Sequence, residues 1–246
     1  MKNRLLILVA LLAMVLPLVA GNKKNYPQET RDLPTFNSMR VSCAVEVDLH
    51  IGKTQSVVVE SDVLPYVKTD VRGNTLIVRV DTKKRYDKAK LHITIPELQA
   101  LELSGASELK CKDMNVTDVC TIDVSGASDV DMRLKAKEVK VTASGASEVD
   151  LRLEAKELKM RANGASEVDL KGSADTAFFD LSGSSDADAD DLVVQSAEAE
   201  LSGASDLSVY AQQSLTVKAS GASDIKYKGS PILKTRISGA SRVVNK

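Results

Sequence analysis

The residues best suited to chemistry in this chain are carboxylates that recur at a fixed spacing. An Asp or Glu directly follows seven of the eight copies of a short phrase with the consensus Ser-Gly-Ala-Ser, and in four copies a second Asp stands two residues later. The candidate binding residues are taken from the densest part of this pattern: Glu148, Glu167, Asp169, Asp186, Asp188, Asp190 and Asp206. Clustered carboxylate oxygens are the ligands that Ca²⁺ prefers.

Two interpretations of these acidic columns remain open. One is a cation-binding strip, densest at Asp186, Asp188 and Asp190. The other is a solvated face whose charges are offset by basic residues in neighbouring columns, namely Arg133, Lys140, Arg152, Lys159 and Lys171. The Gly-Gly-x-Gly-x-Asp nonapeptide of calcium-binding β-rolls is absent. The sequence therefore favours the solvated face, and we expect no metal site and no cofactor.

The same acids argue against an enzyme. Glycoside chemistry needs two carboxyl groups in unequal environments, one protonated and one ionised, whereas here the acids recur equivalently from copy to copy. The histidines are His50 and His92, and both lie outside the regular repeats. No Ser stands in a plausible arrangement with a His and an Asp. We therefore predict no catalytic residues.

The phrase itself predicts the architecture that positions the acids. Its copies begin at residues 104, 125, 144, 163, 182, 202, 220 and 238, at intervals of 21, 19, 19, 19, 20, 18 and 18 residues. Such a period is typical of a solenoid. Around each copy apolar residues alternate with polar ones, as in Val139, Val141 and Ala143 before the copy at 144, which predicts strand, corner and strand.

About 19 residues leave no room for a helical crossover, because a βαβ unit takes about 30 residues. The predicted fold is all-β, a single-stranded parallel β-helix with rungs of about 19 residues. Each corner needs a residue that tolerates positive φ, which is the property of glycine. The predicted structural corners are Gly105, Gly126, Gly145, Gly164, Gly183, Gly203, Gly221 and Gly239.

The chain divides into three parts. Residues 1–20 predict a secretory signal peptide, with Lys2 and Arg4 before the apolar run 5–16. Residues 21–35 are a polar, flexible leader. We expect residues 36–246 to form the β-helix, with irregular rungs over 36–103 and regular rungs over 104–246. The segment from Ser42 to Ser104 has room for about three turns. We expect an exported mature chain without a transmembrane span.

The net charge and the positions of the cysteines lead to two further predictions, one about nucleic-acid binding and one about disulfide bonds. The formal net charge is −1, with 33 basic and 34 acidic residues, so electrostatics does not favour nucleic-acid binding. Of the three cysteines, Cys111 and Cys120 fall at inward positions of the strand pattern. We predict two buried thiols in the core, with a Cys111–Cys120 disulfide as the alternative.

Together, the export signal, the repeated corner and the segment 41–49 (VSCAVEVDL) resemble a known family. The chain is similar to the head GIN domains of autotransporter-type adhesins, which are exported β-helix proteins of Gram-negative bacteria. This resemblance, over residues 36–246, implies a location in the periplasm or at the cell surface. It also implies a fold similar to pectin-lyase-type β-helices without their catalytic residues. The family offers no established binding residues to carry over.

The leading hypothesis is an exported, non-catalytic protein that presents a repetitive Ser/acidic face for adhesion to glycans or to extracellular and envelope proteins. Many weak, equivalent contacts would sum along a rigid face. One alternative is a polysaccharide-binding or degenerate polysaccharide-active β-helix. Another is a self-associating envelope component, a homo-oligomer through the β-helix ends, since an open β edge invites pairing.

Overall fold

The computed structural model describes residues 25–246, so the predicted signal peptide and the first residues of the leader lie outside it. The described chain forms one continuous sheet wound into a parallel β-solenoid, as predicted. Its strands are β1 Gln28–Thr30, β2 Ser38–Val41, β3 Glu46–Ile51, β4 Ser56–Ser61, β5 Val67–Arg72, β6 Thr75–Val80, β7 Ala89–Ile95, β8 Ala100–Leu103, β9 Glu108–Val116, β10 Val119–Val124, β11 Asp129–Ala143, β12 Glu148–Ala162, β13 Glu167–Leu181, β14 Asp186–Leu201, β15 Asp206–Ala219, β16 Asp224–Lys228, β17 Ile232–Ile237 and β18 Arg242–Asn245. A 3₁₀ turn spans Leu64–Tyr66.

A regular rung consists of one long strand that bends midway. In β11, buried and exposed residues alternate up to Ala136, and then Lys137 and Glu138 both face outward before the alternation resumes. This change of phase turns the strand around the core. Since β11 and β12 pair in parallel with a constant offset, Val130 opposite Val149 and Ala143 opposite Ala162, every rung repeats the pattern of the one below.

Backbone geometry makes glycine necessary at the corners. All eight predicted corner glycines have positive φ, between +73° and +84°. The corners also stack tightly: a Cβ atom added to Gly164 would lie 2.7 Å from the carbonyl oxygen of Gly145. Cys43 occupies the equivalent place with φ +78°. Residues 81–88, which are neither helix nor strand, lie beneath Cys43. Within this segment the Tyr86 hydroxyl donates a hydrogen bond to the carbonyl of Ala44.

The corner serines bond to the backbone. The fourth residue of most corners is a buried serine whose hydroxyl donates to the first carbonyl of the same corner, at 2.8 Å from Ser185 to Ser182 and 2.9 Å from Ser205 to Ser202. The first serine of the corner reaches a carbonyl of the preceding rung, as Ser125 does to Leu103 at 3.2 Å. Within residues 25–246, no hydrogen bond joins the hydroxyl groups of serines in stacked corners.

The core is narrow and filled by Val, Leu, Ile and Ala, with Phe179 as its largest fully buried side chain. Cys111 and Cys120 are buried in it, and both are free thiols, which confirms the prediction. Burial raises the pKa of Cys111 to about 11 and that of Cys120 to about 12. Cys43, by contrast, is an exposed thiol at its corner.

The N-terminal region differs from the three irregular turns that we expected between Ser42 and Ser104. Strands β6 and β7 form the lowest rung, and β2 and β3 lie between it and β8 and β9, out of chain order. The remaining strands run antiparallel: β5 against β6, β4 against β7 and β1 against β4. They cover the lower end of the solenoid, where a parallel rung would leave an open edge. Since β1 lies within residues 21–35, the prediction that this whole segment is a flexible leader is wrong for residues 28–30.

Candidate functional site: an acidic ladder

Eight carboxylates form an unbroken column on the strand segments that follow the corners. We call this column the acidic ladder. Each member is the register partner of the next, at the spacing of ~4.8 Å between adjacent strands. In order along the solenoid they are Glu46, Glu108, Asp129, Glu148, Glu167, Asp186, Asp206 and Asp224. A basic residue ends the column on either side, Lys90 beside Glu46 and Arg242 beside Asp224.

Two further columns run beside the ladder on the same face. The second acidic column consists of Asp131, Asp150, Asp169 and Asp188, again in direct register. Next to it lies a basic column of Arg133, Arg152 and Lys171. A shallow depression between the two acidic columns is lined by residues from both, among them Glu167, Asp169, Asp186 and Asp188. A ligand lying there would contact both columns.

Ion pairs neutralise the ladder mainly at its ends. Lys90 lies 3.4 Å from Glu46 and Arg242 lies 2.7 Å from Asp224, while Lys110 pairs with Glu108. In the part of the chain that the structure describes, the remaining ladder members make no ion pair: Asp129, Glu148, Glu167, Asp186 and Asp206. The four residues of the second acidic column make none either. The middle of this face is therefore strongly negative.

Burial and the proximity of like charges shift the pKa values of carboxyl groups on this face. Burial, followed by the charge of Asp150 and of other neighbouring carboxylates, raises the pKa of Glu148 above its ordinary value. The pKa values of Asp169 and Asp186 are also raised, by burial first and then by adjacent carboxylates. At the end of the ladder the direction reverses, because the hydrogen bond from Arg242 lowers the pKa of Asp224.

Six of the seven candidate binding residues lie in these columns. Glu148, Glu167, Asp186 and Asp206 belong to the acidic ladder, and Asp169 and Asp188 belong to the second acidic column. Their role in binding stays a prediction. The structure brings all six onto one face because the parallel register carries each corner, and the acids after it, from rung to rung.

Asp190 is the exception. The register slips after Asp169, so that Asp188 is its partner but Lys171 pairs with Asp191, and Asp190 is the extra residue. Its side chain is only 14% exposed and lies 3.1 Å from Lys228, with Lys246 also in contact. Burial opposes ionisation, yet these two bonds lower its pKa. The 20-residue interval between the corners at 182 and 202 is the sequence signal for this bulge.

The expected neutralisation of the acidic columns by basic residues in neighbouring columns is only partly correct. Lys140 and Lys159 lie on the strand segments that precede the corners, on another face, where they pair with Glu138 at 3.0 and 3.3 Å. Arg133, Arg152 and Lys171 do share the acidic face, but they form no ion pair within residues 25–246. The ladder is therefore less neutralised than the sequence pattern indicated.

Sequence reasoning missed the lowest member of the acidic ladder, Glu46, and the basic residue beside it, Lys90. Glu46 could have been found from the alignment of residues 41–49 with 143–151, which places it opposite Glu148 in the repeat. No such signal exists for Lys90, because β7 pairs beneath β3 out of chain order.

The ladder spreads its carboxylates one per rung, and residues 25–246 contain no group of three or more His, Cys, Asp or Glu side chains arranged to hold a metal ion.

Comparison with protein families agrees with the resemblance found in the sequence. Residues 35–231 match the family model described as "Putative auto-transporter adhesin, head GIN domain". Adhesins act outside the cell or at its surface, so the match indicates such a location. Among proteins with curated functions, none matches the sequence. Within residues 25–246 no helix has the length and apolar character that a membrane span requires.

Solved structures share the fold at low sequence identity. A Parabacteroides distasonis protein described as "Putative lipid binding protein" is 20% identical with a TM-score of 0.85, over 91% of this chain and 98% of its own. A "putative adhesin" from the same species is 20% identical with a TM-score of 0.86, over 90% and 97%. One from Parabacteroides merdae is 16% identical with a TM-score of 0.84, over 91% and 97%.

Proposed function

Because the chain belongs to the head GIN domain family of auto-transporter adhesins, we propose that it is an exported, non-catalytic adhesin whose acidic ladder binds basic surfaces of extracellular or envelope proteins. The periplasm or the surface of a Gram-negative bacterium is the proposed location. The signal-peptide pattern of residues 1–20 and the family match support export.

The observation that carries this proposal is the row of unneutralised carboxylates on a rigid sheet. Asp129, Glu148, Glu167, Asp186 and Asp206 repeat at one rung spacing and lack ion pairs in the described chain. A single exposed ion pair contributes only about 0–1 kcal/mol. Several such contacts on one rigid scaffold add without a separate ordering cost for each, so a partner with repeated basic residues gains affinity through multivalency.

The equivalence of the ladder members supports a binding role over catalysis. An acid–base pair needs one carboxyl group protonated and a partner ionised. Here Glu148 and Asp186 have pKa values raised by the same two causes, burial and neighbouring carboxylates, so neither is distinguished from the other. A degenerate polysaccharide-active protein remains the alternative, and the following experiment distinguishes it.

The test compares wild-type protein with a variant that carries Glu148→Gln, Glu167→Gln, Asp186→Asn and Asp206→Asn. Both are applied to an array of matrix proteins and glycans at low and at 0.5 M salt. We expect wild type to bind basic proteins, and we expect both the substitutions and the salt to weaken that binding by about tenfold or more, because Coulomb attraction is screened at high ionic strength.

A matched control places four neutral amides elsewhere on the surface, through Asp123→Asn, Glu154→Gln, Asp175→Asn and Asp180→Asn. This variant should bind like wild type. Equal binding by the ladder variant, or binding confined to neutral glycans and insensitive to salt, would contradict the proposal and favour the polysaccharide alternative.

A further inference from the structure

The two ends of the solenoid differ in whether further strands cover them. At the lower end, the antiparallel strands β1, β4 and β5 cover β6 and β7. At the upper end, β17 pairs with β15 and β18 with β16, and no other strand of residues 25–246 pairs with either. All six residues of β17 are exposed, and Ile232 is 72% and Ile237 42% exposed. Within residues 25–246, the upper end is thus a β edge without a further paired strand, and it exposes apolar side chains.

The backbone of this edge has free hydrogen-bonding capacity. In each corner the N–H groups donate to carbonyls of the preceding rung, as Ala240 does to Gly221 at 2.7 Å and Arg242 to Ser223 at 3.0 Å. The equivalent carbonyls of the last corner, on Gly239 and Ser241, face away from the solenoid because no described rung follows. Such an edge can accept an added strand, with backbone bonds supplying affinity and side chains supplying specificity.

The positive charge of the upper end determines which kind of strand could pair with β17. Residues 225–246 contain six Lys or Arg and no Asp or Glu. Three of the six pair with acids of preceding rungs, Lys228 and Lys246 with Asp190 and Arg242 with Asp224. Lys234 and Arg236 face outward on β17, and neither makes an ion pair within the described chain. A second copy docked upper end to upper end would set these cations against their equivalents, which is unfavourable for directly opposed like charges, and the lower end of a second copy is covered by antiparallel strands.

Contacts in the preceding rungs show which side chains can pair with cations in this column. Lys218, in the same column as Arg236, reaches two carboxylates of β14: its Nζ lies 3.0 Å from Glu198 Oε1 and 2.6 Å from Glu200 Oε1. Apolar residues alternate with these acids in the segment 197–201 (AEAEL). The same alternation would place acids opposite Lys234 and Arg236 and apolar residues over Leu233 and Ile237.

We propose that the open edge of β17 binds an acidic, extended segment of a partner polypeptide as one more strand of the solenoid. The partner segment alternates acidic and apolar residues. Its acids pair with Lys234 and Arg236, and its apolar side chains cover Leu233 and Ile237. This surface is separate from the acidic ladder and does not depend on it, so either proposal can fail alone.

The probe is a labelled peptide with the sequence of residues 195–209, QSAEAELSGASDLSV, titrated with the purified protein by fluorescence anisotropy. The control peptide carries Lys at the two positions corresponding to Glu198 and Glu200. The protein variant is Lys234→Glu with Arg236→Glu, both at exposed positions. The matched variant, Lys156→Glu, reverses an exposed charge in the middle of the stack.

We expect the acidic peptide to bind wild type and the Lys156→Glu variant equally, and the double variant about tenfold more weakly. The charge-swapped pair, lysine peptide and double variant, should regain binding. Hydrogen exchange should show new protection in residues 232–237. Protection confined to the acidic ladder, an unchanged affinity of the double variant, or no binding to wild type at any peptide concentration would overturn the proposal.

Discussion

Single residues in this protein are constrained most strongly at the corners. A corner glycine satisfies two demands at once, a positive φ and contact with the backbone of the preceding corner. Gly73 has a positive φ as well, +59°, but nothing lies within 4 Å of the Cβ atom that it lacks. The two demands can therefore be separated by experiment.

We expect Gly164→Ala to lower the free energy of unfolding by about 3 kcal/mol or more, since the left-handed conformation costs ~1–2 kcal/mol for a residue with Cβ and the methyl group clashes with a backbone oxygen. Gly73→Ala pays only the conformational cost, ~1–2 kcal/mol. Urea denaturation of both variants checks this. Equal losses would mean that stacking contributes nothing at the corner.

The three thiols should differ in reactivity. Cys111 and Cys120 are buried with raised pKa values of about 11 and about 12, and a thiol reacts as its thiolate. At pH 8 a thiol reagent should label one cysteine in the native protein, Cys43, and all three after denaturation. Labelling of the native Cys43→Ser variant at the same rate would show that the core opens readily.

The crowded carboxylates should make stability depend on pH. Glu148, Asp169 and Asp186 have raised pKa values when folded, so the folded state binds more protons than the unfolded state. Their favourable contribution is complete below the ordinary pKa values, near 4, and is lost as the pH rises through the raised values. The triple variant Glu148→Gln, Asp169→Asn and Asp186→Asn removes this dependence.

Thermal unfolding should find the triple variant more stable than wild type at pH 7, by a total of roughly 1 kcal/mol, since solvent screening limits the repulsion between exposed charges. At pH 3 the difference should vanish. Asp224→Asn is the opposite control, because its pKa is lowered by Arg242, so this variant should be less stable at pH 7. A triple variant that is destabilised at pH 7 would contradict the assigned repulsion.

At the scale of elements, the N-terminal strands act as a cover that the repeat does not encode. Gln55 ties the entering chain to this cover: its amide nitrogen donates to the carbonyls of Leu33 at 3.1 Å and Pro34 at 3.0 Å, and its oxygen accepts from the N–H of Phe36 at 3.1 Å. One side chain thus satisfies three backbone groups beside β4.

We expect Gln55→Ala to cost about 1–3 kcal/mol, because its backbone partners lose their bonds, and to speed proteolysis within residues 25–36. Gln28→Ala is the control: Gln28 makes one exposed bond of 3.4 Å to Glu60, so its loss should cost less than about 0.5 kcal/mol. Chemical denaturation and limited proteolysis measure both. An unchanged cleavage pattern for Gln55→Ala would show that other contacts hold this segment.

For the whole molecule, contact only between neighbouring rungs implies a gradient of stability. Strands β11–β14 are each paired on both sides, whereas in the described chain β17 pairs with β15 alone and β18 with β16 alone, and both have exposed apolar residues. Native-state hydrogen exchange should find the slowest amides in residues 129–201 and the fastest strand amides in residues 232–245. Uniform protection would mean that the solenoid unfolds as one unit.

The sequence alone determined the fold of residues 104–246, the eight glycine corners, the inward cysteines and the outward acids. It could do so because a parallel solenoid aligns equivalent residues of consecutive repeats, so a period in the sequence becomes a column in space. Only the tertiary structure revealed where the columns depart from the sequence repeat. The bulge at Asp190 withdraws a carboxylate from the face, and β7 brings Lys90 beneath Glu46 from a segment without the repeat. The antiparallel cover likewise depends on pairings of β1, β4 and β5 that no local period encodes.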